Sequence, residues 1–476
     1  MLHINIVKFL ILILRGVALL HKLIARKHRD SIPIAIVSSA NIGEWLEKIS
    51  SSQRKWLSQN GFNAKKNSIG LLPLSSGGLG KVVFVIDEST DLWCWSELAA
   101  NLPKATYWLQ GNLDKSRATD AALGWGLAAY EFTKYRTPSL SRPKLVWPKN
   151  SDRTAVSYTL DAVKLVRDLI NTPAEDMGPS ELAAFIRSLA KPFKATTKVI
   201  MGDSLLKANY PMIHMVGRAS DDPPRLIDMR WGSRGPLVTL VGKGVCFDTG
   251  GLDLKSASGM LRMKKDMGGA AHVLGLASMI MSAKLPIKLR VLIGAVENSV
   301  SGNSYRPLDV LNTRKGITVE NVNTDAEGRL VLGDCLTEAS REKPDLLLDY
   351  ATLTGASRVA VGTELAAMYC NNNDLSRDFE KHAKIANDPL WRLPLYQPYR
   401  RMLDSKVADI SSASEGGFGG GITAALFLQE FVEEGIPWAH FDIMAWNTFS
   451  RAGRPEGGEA QAMRAAFSLI AERFSS

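Results

Sequence analysis

The chain has 476 residues, 45% hydrophobic and 22% charged, with a formal net charge of +10. That length calls for two or more domains, and that balance is ordinary for a soluble globular protein. Half of the charge sits in residues 1–30, where Lys8, Arg15, Lys22, Arg26, Lys27 and Arg29 face one acid, Asp30; the remainder is mildly basic, which does not point to nucleic acid.

Residues 1–32 stand apart as a basic, apolar extension. Their longest unbroken apolar run, Phe9 to Leu14, is too short to span a bilayer. Lys8, Arg15 and Lys22 recur every seven residues and Arg26 follows four later, so on a helix they share a face. Three readings stay open: a basic helix that touches an anionic membrane or serves as an oligomer arm, a targeting signal, and a dispensable extension.

Residues 33–150 read as a small α/β domain. Pro33–Val37, Leu71–Leu74, Val82–Ile86 and Thr106–Leu109 are strand candidates, and Ile42–Leu57 and Asp120–Tyr135 have helical spacing. Trp45, Trp56, Trp93, Trp95, Trp108 and Trp125 lack interleaved basic residues, so they read as core and not as nucleobase platforms. Arg136–Arg153, rich in Pro, Ser, Lys and Arg, reads as a linker.

Residues 151–476 form the larger domain. Helices are expected over Ala155–Ile170 and Ser180–Ala190, then strands at Thr197–Met201, Leu226–Met229, Leu289–Val296, Ile317–Val322 and Asp345–Tyr350, with a helix over Leu330–Arg341. This alternation implies a central, mostly parallel sheet flanked by helices, with ligand groups at the strand carboxyl ends. The fold class is α/β throughout. Cys94, Cys246, Cys335 and Cys370 are scattered without a CxxC pair, which favours free thiols over a disulfide framework.

Two stretches carry the chemistry. Val238–Val241 is a β-branched run that reads as a buried strand; Gly242-Lys243-Gly244 follows, where the backbone is free to turn, then a loop with Asp248, Gly250, Gly251 and Lys255. Asp266 precedes Gly268-Gly269, and Gly269–Ile280 reads as a helix. The second stretch, Asn323–Arg329, is NTDAEGR. In extended chain Asp325, Glu327 and Arg329 point the same way. An Asp in a Gly-rich loop is ordinarily a turn residue, and NTDAEGR alone also reads as a turn before a helix. Their joint occurrence weighs more: Asp248, Asp266, Asp325 and Glu327 make four carboxylates, which repel unless protonated or neutralised by metal. Without Cys or His such a cluster suits Mg, Mn or Zn. His272 reads as a packing or surface residue, and Cys246 as a small filler.

GKGVCFDTGG, the Lys255 segment, KKDMGGAA and NTDAEGRLVLGD together resemble the leucyl aminopeptidase family of dinuclear-metal exopeptidases, over roughly residues 155–476. The resemblance implies a metalloexopeptidase that cleaves the first peptide bond with a metal-bridging hydroxide. It implies Lys243, Asp248, Asp266 and Glu327 as ligands of one ion, and Asp248, Asp325 and Glu327 as ligands of the second. The ions are Zn or Mn, with Mg and Co as further candidates. Lys255 would stabilise the gem-diolate, and Arg329 would anchor a bicarbonate base. Thr352, Leu353 and Gly355 would lie near the bound residue. Met263 would form part of the apolar pocket wall, with plain core packing as its other reading. Peptides with a free N-terminal amine, a homohexamer and a cytoplasmic location are also implied.

Four departures from the commoner family pattern stand out: FDTGG for FDSGG, Asp253 just before Leu254-Lys255, Gly259 where many relatives have Asn, and the tail RPEGGEA. They bear on side-chain preference and leave every ligand position filled. The Gly-rich run Glu415–Gly421 lacks a GK[ST] ending and reads as a loop. The contrasting class is a non-catalytic binding protein on the same fold, engaging nucleic acid or a membrane surface through its basic N-terminus. Two-metal hydrolysis of phosphoesters is disfavoured by Lys243 as a ligand.

Overall fold

The structure, a computed structural model, describes residues 21–138 and 142–475. The stretch carrying Lys8 and Arg15 lies outside the described residues. Two compact units emerge. One comprises residues up to Asp161 together with Phe449–Pro455; the other comprises Ala162–Thr448 and Glu456–Ser476. They part inside the helix Arg153–Asn171, whereas the sequence sets its boundary at residue 150.

The first unit holds β1 (Leu23–Ile24), β2 (Ile32–Ser38), β3 (Ile69–Pro73), β4 (Leu79–Ile86), β5 (Thr106–Gln110) and β6 (Lys144–Val146). They form one sheet in the order β1-β6-β5-β2-β4-β3. All pairs are parallel except β3 with β4. Val82 to Val85 are all buried, as a strand covered on both faces requires. Two of these strands fall where none was expected. β1 uses Leu23 and Ile24 from the segment set apart as an extension, and β6 lies within the linker stretch. The single helix expected over Ile42–Leu57 is two, Ile42–Lys48 and Ser51–Gln59. Ser50 divides them: its hydroxyl accepts from the Gln53 amide, and the Gln53 side chain accepts from the Ser50 amide, each at 3.2 Å. This reciprocal cap starts a new helix. Trp95 and Trp125 are core, while Trp56 stays exposed.

The second unit contains β7 (Thr196–Met201), β8 (Arg225–Trp231), β9 (Leu237–Asp248), β10 (Lys288–Asn298), β11 (Val310–Asn312), β12 (Thr318–Glu320), β13 (Leu346–Ala351), β14 (Ala366–Cys370), β15 (Leu390–Arg392), β16 (Ile410–Ser411) and β17 (Trp438–Asp442). Eight of them form a sheet in the order β15-β14-β17-β13-β9-β10-β8-β7. Its middle four, β17, β13, β9 and β10, run parallel. Val241 of β9 packs with Leu330 and Val331 of the helix Glu327–Ser340. Its neighbour Gly242 lies against Ala270 and Val273 of the helix Gly268–Ala283. Successive strand residues face opposite ways, so the two helices cover opposite faces of the sheet.

β9 does not stop at Gly242-Lys243-Gly244; it runs on to Asp248. A Cβ at Gly242 would stand 2.6 Å from Val273 Cγ2, and one at Gly244 would stand 2.6 Å from the Gly294 carbonyl oxygen. These glycines let a helix and a neighbouring strand close onto β9, which is a different task from turning the chain. All four cysteines are free and buried. No helix of the described residues is long and apolar enough to cross a membrane.

Candidate active site

The parallel strands β9, β10, β13 and β17 end side by side, and each delivers a polar group. β9 ends in Asp248, β10 in Asn298 and β17 in Asp442, while Thr352 follows β13 directly. Asp248 Oδ1 accepts from Asn298 Nδ2 at 2.8 Å and from the Gly250 amide at 2.9 Å. Beyond Asp248 the chain reverses through Gly250 and Gly251, at φ +91° and +66°, a region that suits glycine. Asp442 accepts from the Leu353 amide at 2.9 Å and the Thr354 hydroxyl at 2.6 Å, which fixes the segment after β13.

The second stretch is not extended. Asn323 Oδ1 accepts from the Asp325 amide at 2.8 Å, Thr324–Ala326 is a 3-10 turn, and the helix begins at Glu327. Of the two readings the sequence left for NTDAEGR, extended chain and a turn before a helix, the Asn323 cap selects the turn before a helix. Asp325 and Glu327 still converge, because the first turn of that helix faces the strand ends. Thr324 joins the two stretches. Its hydroxyl donates to the Gly250 carbonyl at 2.6 Å and accepts from the Asp253 amide at 2.8 Å, and its own amide donates to Asp253 Oδ2 at 2.7 Å. Asp253, a departure from the family pattern, is thus a clamp between the loops.

Two groups of charges result. In the inner group Lys243 Nζ lies 2.6 Å from Asp266 Oδ2 and 2.8 Å from Glu327 Oε1, and it donates to the Thr352 carbonyl at 3.1 Å. The Thr352 hydroxyl donates to Asp266 Oδ1 at 2.7 Å. In the outer group Lys255 Nζ lies 2.9 Å from Asp248 Oδ2 and also pairs with Asp325. Oxygens of Asp248, Asp325 and Glu327 lie within 4.8 Å of one another. A Cβ on Gly328 would stand 2.6 Å from Lys243 Cε, so glycine there is what admits the lysine.

Four carboxylates face two ammonium groups, and the excess acid shows in the titration. Burial, joined by Asp248, raises Glu327 well above the usual carboxyl range. Burial and Asp248 push Asp325 up to about 6, against the pull of Lys255. Burial works against the charge on Lys243, yet Asp266, Glu327 and Asp248 outweigh it and hold the ammonium form. Asp266 stays below its usual range because Lys243 and Lys265 overcome its burial. Asp266 Oδ2 and Glu327 Oε1 are sealed from solvent, and the Lys243 ammonium is the close partner of both. Sealed carboxylate oxygens in a cluster where acids outnumber ammonium groups, with Asp248, Asp325 and Glu327 converging within 4.8 Å, fit hard or borderline divalent cations.

The other residues singled out from the sequence fall around this cluster. Arg329 is buried in the helix after Glu327 and donates to the Ser412 carbonyl at 2.8 Å, while its Nε has no partner. Burial lowers it to about 10. Met263 is half-buried at the start of the 3-10 turn Met263–Met267. Thr352 is buried, Leu353 is half-buried against the core, and Gly355 is exposed at the head of the helix Gly355–Val361. His272 is a packing residue, stacked on Tyr350. Its Nδ1 donates to the Gly268 carbonyl and its Nε2 accepts from the Gln461 amide. Burial lowers it to about 4. Cys246 is a buried filler. Sequence reasoning missed Asn298, Asp442, Thr324 and Lys265. The first two carried a usable signal, a polar residue closing an apolar strand.

The model of the cytosol aminopeptidase family, catalytic domain, matches residues 164–467, and that of the M17 aminopeptidase N-terminal domain matches residues 32–148. A probable cytosol aminopeptidase of Sinorhizobium medicae is 39% identical over 344 residues, spanning 68% of this chain and 69% of the relative. One of Rhodopirellula baltica is 42% identical over 314 residues, spanning 65% and 62%. The crystal structure of cytosol aminopeptidase from Coxiella burnetii superposes with a TM-score of 0.91 at 46% identity, covering 95% of this chain and 99% of that one. The bottromycin maturation enzyme BotP in complex with Mn gives 0.83 at 31% identity, covering 93% and 99%.

Proposed function

The chain belongs to the cytosol aminopeptidase family, and from that premise we propose that it removes the first residue from peptides bearing a free α-amine. The observation that carries this reading is the convergence of Asp248, Asp325 and Glu327 within 4.8 Å, beside the sealed Lys243–Asp266 pair. Residues 151–476 carry the catalysis. Lys243, Asp248, Asp266 and Glu327 hold one divalent ion, and Asp248, Asp325 and Glu327 hold the other. Such a pair, when bound, supplies an activated water and a Lewis acid for the scissile carbonyl. Zn and Mn are the leading candidates, ahead of Mg and Co; the manganese in BotP's description supports Mn.

The chain's own groups do the rest. Lys255 keeps its proton, because Asp248 and Asp325 raise it despite its burial, and an ammonium there neutralises charge developing on the carbonyl oxygen. Arg329 offers a buried, unpartnered Nε for a bicarbonate, which serves as the base. His272 does not take that role, since both of its ring nitrogens are engaged. Met263, Thr352, Leu353 and Gly355 line the pocket for the first residue. Lys243 binds its proton tightly, so loading of the inner site displaces that proton and weakens as pH falls. The family resemblance further supports a homohexamer and a cytoplasmic location.

The test is hydrolysis of a panel of aminoacyl-p-nitroanilides by chelated protein refilled with Zn, Mn, Mg or Co, with Glu327→Ala as control. Metal-restored release from free-amine substrates, absent from N-acetylated ones and from the variant, is expected. No release under any metal sinks the proposal.

A further inference from the structure

Two cations beside the segment Thr352–Gly355 have no hydrogen-bond acceptor among the described residues. Lys265 is 2% exposed, and its one carboxylate neighbour is Asp266 Oδ1 at 4.0 Å, outside hydrogen-bonding distance. That oxygen already accepts from the Thr352 hydroxyl. Asp442, the other acid whose charge Lys265 feels, is committed to the amides of Leu353 and Thr354. Arg358 lies in the helix Gly355–Val361 and is half-buried. Its Nη2 lies 3.5 Å from where a Cβ on Gly355 would stand, so the guanidinium overhangs bare backbone. Among the described residues, neither side chain donates a hydrogen bond to the protein. Lys264, by contrast, is satisfied by the Asn171 carbonyl at 2.6 Å.

A buried ammonium without an acceptor is costly, and here a second cation adds repulsion. Both charges border the segment that lines the pocket, and the nearest carboxylate to Lys265, that of Asp266, is already paired with Lys243. Resting on the aminopeptidase reading, we infer that Lys265 and Arg358 recognise a carboxylate of the substrate, which makes carboxylate-bearing short peptides the preferred class. The carboxylate comes from an acidic first side chain or from the free C-terminus of a dipeptide. The shared chemistry is a charge-assisted pair with a planar, bidentate guanidinium and a point-charge ammonium.

The experiment compares kcat/KM within matched pairs on the metal-loaded full chain: Glu- against Gln-p-nitroanilide, and Ala-Ala against Ala-Ala-amide. At least about a tenfold preference for the charged member of one pair is expected; which pair shows it identifies the source. In Lys265→Met and in Arg358→Gln that ratio falls to within about twofold of unity. Because each ratio is taken within one protein, a general loss of activity cancels. Should Lys265→Met fail to fold, Arg358→Glu carries the test, by shifting preference toward Lys-p-nitroanilide. Turnover of Leu-p-nitroanilide with neither pair favouring its charged member overturns this inference alone. No turnover of any substrate removes the aminopeptidase reading and this inference together.

Discussion

The inner and outer halves of the charge cluster are built from the same parts in different surroundings. Each has one lysine and two carboxylates. The side chains of Lys243, Asp266 and Glu327 are at most 4% exposed, whereas Lys255 is 14% and Asp325 32% exposed. The inner lysine is held on three sides, by Asp266, Glu327 and the Thr352 carbonyl, and is admitted only because residue 328 lacks a Cβ. The outer one sits on a loop that bends through two left-handed glycines. Burial, not composition, assigns the tasks. Under the proposed function the sealed half would hold a cation and the more open lysine and Asp325 would meet the substrate.

The largest effect should come from breaking the inner half. Glu327→Ala should lose bound metal and, with it, more than about a thousandfold of activity, read by atomic absorption beside hydrolysis rates. An unchanged metal content would collapse the distinction between the halves. Breaking the outer half should look different. Lys255→Met should lower kcat by about 100- to 1000-fold while metal content and KM hold; a rise in KM alone would assign Lys255 to binding. A buried histidine packed near the cluster should also show in stability against pH. His272 is lowered to about 4 when folded and has its ordinary value of about 6.5 when unfolded. The unfolded state therefore binds more protons between those values, and stability should fall by roughly 3 kcal/mol as pH drops through that window. His272→Gln should flatten that part of a denaturation-versus-pH curve. The smallest contrast is steric. Gly328→Ala should cost about 1–3 kcal/mol by displacing Lys243, while Gly259→Ala, whose nearest obstacle is the Ser256 hydroxyl at 3.2 Å, should change the melting midpoint little.

Much of the site was legible because its parts are local. A β-branched run marked β9, and paired glycines with charged neighbours marked its loop. NTDAEGR with its carboxylates marked the partner stretch. Their meeting was legible only through resemblance, because the clamp joining them runs through Thr324 and Asp253, about 70 positions apart, and neither has a distinctive local pattern. Two local readings failed for one reason. Gly242 and Gly244 looked like a turn and are crowded strand; Asp325, Glu327 and Arg329 were aligned as extended chain, while the other reading of NTDAEGR, a turn before a helix, is the one that holds. In both cases the deciding contact, a packed helix or the Asn323 cap, outweighed what residue type alone suggests. Lys265 was invisible for a related cause: a lysine beside a lysine reads as surface until the structure shows it buried.

The side-by-side ending of β9, β10, β13 and β17 has one more consequence. Neighbouring strands in any sheet stand about 4.8 Å apart, so the spacing at which these four ends present Asp248, Asn298, Thr352 and Asp442 is a ruler made of backbone alone. No side chain sets that gauge, and substitutions in the surrounding loops leave it untouched. The spacing of those four polar groups stays engraved in the sheet.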